Sequence, residues 1–306
     1  VFTTHLFDAE IEGRIEKLRA ECADTQRAGP PRYDVFVSVE HDTPLPAGYD
    51  EISHRFDFSE LKERAATVIG DRVVPGNGHL RALDCWRRFP DHPNYWFIEY
   101  DLVYRGHWRT FLDQFSGDRS DLLVAHVRRV SDDPMWPWVS TFGSGTDQVD
   151  RRSWVRAFFP IHRLSAAGLS CVAEAVQRRW VGHYEILVPT AIDHASLTIA
   201  DIGGRGAWTP DERRGLNYLD AALPYEFESI GSLRWRPAIR RQPVKNVLYH
   251  PCKTGLDPSA DASWREKGRV IRRAWAKEPG RMLAHVTRIA AAKLRPTTHS
   301  RVSQHE

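Results

Sequence analysis

The chain has 306 residues, with 43 Lys and Arg against 40 Asp and Glu for a formal charge of +3. That length holds one large domain or two ordinary ones, and no run of ~18 apolar residues is present to span a bilayer. Cys22, Cys85, Cys171 and Cys252 stand far apart with no CxxC pair, which argues against a disulfide framework or a cysteine zinc site and predicts reduced thiols in a cytoplasmic protein.

Val1–His5 lacks the basic-then-apolar layout of a signal peptide and reads as a short first strand. Apolar residues at Ile11, Ile15, Leu18 and Cys22 predict a helix over 8–26 with Asp8 as its N-cap. Asp34–Val39 reads as a second buried strand, followed by a polar, Pro-rich loop over 40–49. Helices are expected over 59–69 and 80–88, separated by the turn-like Pro75-Gly76-Asn77-Gly78-His79. The aromatic run from Tyr95 onward predicts a central strand, Trp108–Phe115 a short helix and Asp121–Val127 another strand. A loop rich in Trp, Pro, Gly and Ser covers 132–147, Phe158–Arg163 is extended, and a helix capped by Ser165 runs to about Arg179. His183–Thr190 opens a further unit continued by 191–195, with Pro189-Thr190 expected to make a turn. Residues 262–294 read as a basic helical tail with a polar, disordered end.

Alternation of strand and helix to about residue 130 predicts an α/β fold: a Rossmann-like, mainly parallel mixed sheet flanked by helices in one domain. Residues 1–255 would form that domain and 256–306 a basic helical extension. Neither a G-x-G-x-x-G nor a P-loop is present, which weakens dinucleotide and ATPase readings. Gly203-Gly204-Arg205-Gly206 reads as a turn.

The most informative stretch is Tyr95-Trp96-Phe97-Ile98-Glu99-Tyr100-Asp101-Leu102-Val103-Tyr104. Burying two unpaired carboxylates is costly, so Glu99 and Asp101 are expected where the strand leaves the sheet, facing one spot. Open α/β sheets bind ligands at that edge. The pair suits a divalent cation and the diphosphate it carries; a solvated or Arg-paired strand end is the competing reading.

In this order of motifs the chain resembles glycosyltransferases of the GT-A fold. Glu99-Tyr100-Asp101 is similar to their D-x-D motif. The segments Phe97–Trp108 and Phe159–Ser165 resemble uncharacterised glycosyltransferase-like proteins of bacteria and fungi. Glu185–Thr190 resembles, more distantly, a segment of the core-2/I-branching N-acetylglucosaminyltransferases, and Leu248–Lys253 the late basic segment that contacts diphosphate. The resemblance implies a nucleotide-sugar-dependent enzyme of carbohydrate biosynthesis. It also implies Mn or Mg at Asp101, Glu99 and His250, although Glu99 in place of Asp leaves metal-independent transfer open. On this reading Thr3, His5, Gly76, Asn77, Glu99, Asp101, His250 and Lys253 contact the donor. Glu185 is the base of an inverting transfer, with Asp193 as the competing carboxylate. Trp136 and Trp138, with Ser140, line the acceptor groove.

The acceptor would be a glycan, glycolipid or glycoside. No nucleic-acid motif accompanies the basic residues after 230, whose expected partner besides phosphate is an anionic membrane face, reached peripherally. Two other functions fit parts of the sequence: a metal-dependent phosphohydrolase or nucleotidyltransferase built on Glu99 and Asp101, and a non-catalytic carbohydrate-binding protein relying on its 11 Trp. The first would call for further Asp and His clusters, which the sequence does not show.

Overall fold

The computed structural model describes residues 1–23, 33–65, 67–132, 136–219, 231–235 and 238–255. The expected helical extension over 256–306 lies outside the described residues. Seven strands form one sheet in the order β3-β2-β1-β4-β7-β6-β8. They are β1 (Phe2–Thr3), β2 (Val37–Glu40), β3 (Ser53–Phe56), β4 (Asn94–Glu99), β6 (Leu122–Arg129), β7 (Val155–Ser165) and β8 (Ile199–Asp201). All run parallel except β7, which is antiparallel to both β4 and β6. This is the mixed, mainly parallel α/β architecture the alternating pattern predicts. A two-strand antiparallel ribbon, β5 (Val103–Tyr104) with β9 (Leu248–Tyr249), was not expected. It docks the chain around residue 250 beside the end of β4.

Helix α1 (Ala9–Ala23) buries the four residues its 3.6 period selects, and Asp8 accepts from the Ile11 N–H at 2.8 Å as its cap. The second helix, α2 (Phe58–Glu63), is shorter than the sequence suggests. Beyond it the Asn77 side chain accepts from the Ile69 N–H and donates to the carbonyls of Ile69 and Arg72, so a side chain supplies the partners that a longer helix would have given. Helices α3 (Gly78–Arg88), α4 (Trp108–Asp113) and α5 (Ala166–Gln177) follow, with Ser165 capping α5 as expected.

Helix α6 (Tyr184–His194), the last α-helix among the described residues, corrects the expected turn at Pro189, which lies inside the helix. Pro189 removes the bond to the Glu185 carbonyl, yet every residue from Tyr184 to Ile192 is buried, and that packing overrides local preference. Thr190 Oγ1 both donates to and accepts from the backbone of Val155, fixing α6 to β7.

Pro160 sits within β7 without breaking the sheet. The ladder to β6 jumps from Val124↔His162 to Ala125↔Phe158, and the ladder to β4 ends at Ile98↔Ile161. A residue without an N–H falls in the bulge, where no ladder donor is needed. Gly203 and Gly204 form a turn around Asp201, whose Oδ1 accepts from both their N–H groups at 3.0 and 2.9 Å. No helix among the described residues is long and apolar enough to cross a membrane.

Candidate active site

A cleft of about 920 Å³ opens at the carboxyl ends of β1, β2 and β4. Glu99 is the last residue of β4, and Asp101 follows it in a turn. From the far side comes His250, held by Tyr249 on β9. His250 Nε2 lies 3.4 Å from Glu99 Oε2 and 3.3 Å from Asp101 Oδ1. Lys253 Nζ pairs with Asp101 Oδ2, donates to the Tyr100 hydroxyl at 2.8 Å, and lies over the Tyr100 ring. The two carboxylates and two late basic residues singled out in the sequence thus share one spot.

Asp101 is 2% exposed, more deeply placed than a carboxylate open to the cleft. Burial alone would raise its pKa, but the charges of His250 and Lys253 outweigh it and hold the carboxyl well below its usual range. Burial likewise works against a charged His250, and Asp101 and Glu99 reverse it, raising the imidazole to about 10. Lys253 is raised too, its burial overcome by Asp101.

Glu99, Asp101 and His250 each offer one ligand atom, all within 4.8 Å of one another, two hard oxygens and one nitrogen. Two details fit a divalent cation. Asp101 Oδ1 is buried without an aligned hydrogen bond, and its approach to His250 is an ion-pair contact. His250 Nδ1 is 2.7 Å from the Arg234 carbonyl, the outer bond that fixes a ligating histidine with Nε2 inward.

Across the cleft, His183 caps α6, its Nδ1 accepting from the Glu185 N–H at 3.3 Å. Tyr184 donates its hydroxyl to Glu99 Oε1 at 3.2 Å. Glu185, in the first turn, is 5% exposed. A helix N-terminus favours a carboxylate by only ~0.3–1 kcal/mol, whereas full burial shifts a pKa by up to ~3–5 units. Burial wins, aided by Glu99, and the Glu185 carboxyl is raised well above its ordinary value. Its rival Asp193 is tied bidentately to Arg129 at 2.6 and 3.0 Å and lies outside the cleft lining. The structure therefore separates two carboxylates that the sequence left in competition.

Thr3 and His5 line the cleft near β1; Thr3 Oγ1 donates to the Ile98 carbonyl at 3.2 Å, and His5 sets its ring edge-on to Tyr100. Gly76 and Asn77 lie behind the lining. Gly76, at φ +116°, offers its carbonyl to the Tyr184 N–H at 2.9 Å, and Asn77 is occupied with the 69–72 loop. The two expected acceptor tryptophans both line the cleft but differ in burial. Trp136 is 3% exposed, packed under Arg156 and against Phe158. Trp138 is half-buried, and Ser140 does not line the cleft.

Three residues of the site were missed in the sequence. Arg81, one turn into α3, faces the cleft, with Glu99 and Glu40 acting on its charge and its Nε buried without a hydrogen bond. It follows the flagged Gly76–His79 turn, the signal that could have found it. Tyr184 and His183 flank Glu185, and their neighbouring position was a signal in itself.

No known family model matches the chain, and no curated protein matches it in sequence. Solved structures similar to it include the following two. One is an active-site mutant of LgtC, 9% identical with a TM-score of 0.42, the match covering 89% of this chain and 96% of that one. The other is a Bacillus anthracis protein assigned as a glucose-1-phosphate thymidylyltransferase, in complex with a sucrose, at 13% identity and a TM-score of 0.35, covering 65% and 77%. Both likenesses are distant, and the chemistry of the cleft stands on its own geometry.

Proposed function

We propose that this protein is a nucleotide-sugar-dependent glycosyltransferase that inverts configuration, with Glu185 as base. The observation that carries this reading is the pairing of two unlike carboxyl sites in one cleft. Glu99 and Asp101 are held with His250 and Lys253, while Glu185 is buried with a raised pKa. Such a pairing assigns the first group to charge and the second to proton transfer.

The leaving diphosphate needs positive charge. Lys253 and Arg81 line the cleft with Glu99 and Asp101, and their charges only offset those two carboxylates. That balance leaves nothing for a sugar diphosphate, which supports a divalent ion such as Mn or Mg at Glu99, Asp101 and a His250 that would give up its Nε2 proton to bind it. When bound, that ion would neutralise the diphosphate oxygens as charge develops. Thr3 and His5 lie where the nucleoside half would enter. Gly76 supports Tyr184 through its carbonyl, Asn77 steadies the turn beside it, and Tyr184 in turn holds Glu99 in place.

On the other side Glu185 takes the proton of the acceptor hydroxyl as that oxygen attacks the anomeric carbon. A carboxyl raised by burial is the stronger base and suits that role better than an ordinary one. The acceptor would be a glycan, glycolipid or glycoside. Free, buried Cys22, Cys85, Cys171 and Cys252 accord with a reducing, cytoplasmic setting.

The test is incubation with a panel of nucleotide sugars and simple glycosides, following nucleoside diphosphate release and product anomericity. A new glycosidic bond of inverted configuration is expected. Release of a sugar phosphate with nucleoside monophosphate would instead mark a pyrophosphate-cleaving enzyme, and no turnover with saccharide binding a carbohydrate-binding protein.

A further inference from the structure

Two of the cleft's tryptophans are not used by the chemistry above. Trp138 stacks flat on His183, with ring centroids 4.3 Å apart and an interplanar angle of 2°. Trp235 meets Trp138 at 5.8 Å and 61°. Trp235 is 38% exposed, whereas Trp136 and Trp180 are at most 3% exposed. Core packing accounts for the buried pair and not for Trp235.

The chain holds Trp235 firmly despite that exposure. The segment before it is laced to the metal-site histidine: the Arg234 N–H donates to the His250 carbonyl at 3.1 Å, and the His250 N–H donates to the Ser232 carbonyl at 2.8 Å. The same peptide that aims His250 at Asp101 therefore fixes the indole. At the other end of the row, His183 Nδ1 is 3.7 Å from Glu185 Oε2. Burial keeps His183 neutral, lowering it to about 3. His183 is itself clasped between Trp138 and Tyr184, whose ring stacks on it at 4.7 Å, and is 3% exposed, so it backs the row and leaves the Trp138 and Trp235 indoles to the cleft.

We propose that Trp138 and Trp235, with His183 backing Trp138, form a ring-stacking subsite for a pyranose of the acceptor, placing its hydroxyl at Glu185. The apolar C–H face of a sugar fits a neutral indole, its hydroxyls stay toward water or Glu185, and stacking on aromatic faces tolerates variation along a chain of sugars. His250 and Lys253 are gathered at Asp101 instead, so a phosphate group has counter-charges there. This subsite rests on the transferase reading only in making the saccharide the second substrate; binding itself does not depend on it.

The experiment uses the full chain labelled with fluorotryptophan, titrated with cellobiose and with lactose by fluorine NMR, with and without uridine or guanosine diphosphate. Signals are assigned by their loss in Trp235→Phe and Trp138→Phe. The expected result is that saccharide shifts these two signals, and that Trp235→Ala weakens saccharide binding by about tenfold while nucleoside diphosphate binding changes less than about twofold. Shifts confined to other tryptophans, no saccharide binding to the wild type, or unchanged binding in Trp235→Ala would each overturn the subsite. Saccharide binding at these tryptophans with no nucleotide bound by the wild type would uphold the subsite and defeat the transferase reading.

Discussion

His250 points its Nδ1 at the carbonyl of Arg234, 2.7 Å away and sixteen positions earlier in the chain, and thereby turns Nε2 toward Asp101. One backbone contact thus decides which nitrogen serves the carboxylates. It also explains why a histidine between Tyr249 and a proline is aimed at the cleft and not merely packed.

Asp101→Asn is expected to keep the fold and lower transfer by ~10²–10³-fold, the scale for removing one preorganised electrostatic contact. The variant should also lose any rise in thermal midpoint that Mn²⁺ gives the wild type. Equal stabilisation of both proteins by Mn²⁺ would place the ion elsewhere.

Lys253→Ala should weaken nucleoside diphosphate binding by roughly fivefold to tenfold and nucleoside binding hardly at all. The value is at the low end for a hydrogen bond to a charged group because Lys253 is half exposed to solvent. Calorimetry on both ligands decides it; equal losses would remove the phosphate contact.

Glu185→Gln preserves shape and removes the proton acceptor. Turnover should fall ~10²–10⁴-fold with donor affinity nearly unchanged. Because the wild-type carboxyl is raised, its turnover should climb with pH through that raised value, and the variant's residual rate should lack the climb. A flat wild-type profile, or a product of retained configuration, would assign the proton to another group.

Acid should destabilise the protein through buried neutral histidines. Burial lowers His162 to about 3 and His79 to about 4 from an ordinary 6.5. Between those values and 6.5 the unfolded chain binds more protons, so stability is lost as pH falls through that window. His162→Gln should flatten the dependence by about one proton, ~1.4 kcal/mol per pH unit, in denaturant titrations between pH 4 and 6. An unchanged slope would mean His162 is not neutral in the folded state.

Local signals carried much of the fold. Asp8 and Ser165 cap the helices they announce, and the run into Glu99 is the central strand at whose end the cleft opens. What stayed hidden depends on contacts between distant residues. Nothing near Asp193 shows that Arg129 will neutralise it, and nothing near Glu185 shows that it will be buried instead. Trp136 and Trp138 share one loop and both line the cleft, yet Arg156 covers the first ring and the second stays partly open. The β5–β9 ribbon is two residues long on each side, too short to leave a period in the sequence, although it delivers His250.

The bulge at Pro160 sets where this protein can change. Phe158 and Pro160 line the cleft, yet they belong to β7, which is paired on both sides and buried along nearly its whole length. The floor of the cleft is therefore part of the structural core, and alterations there would disturb folding and turnover together. The Trp138 loop and the Trp235 segment form walls outside the sheet. Divergence toward new acceptors would run through those walls, above a floor that is held constant by the stability of the domain.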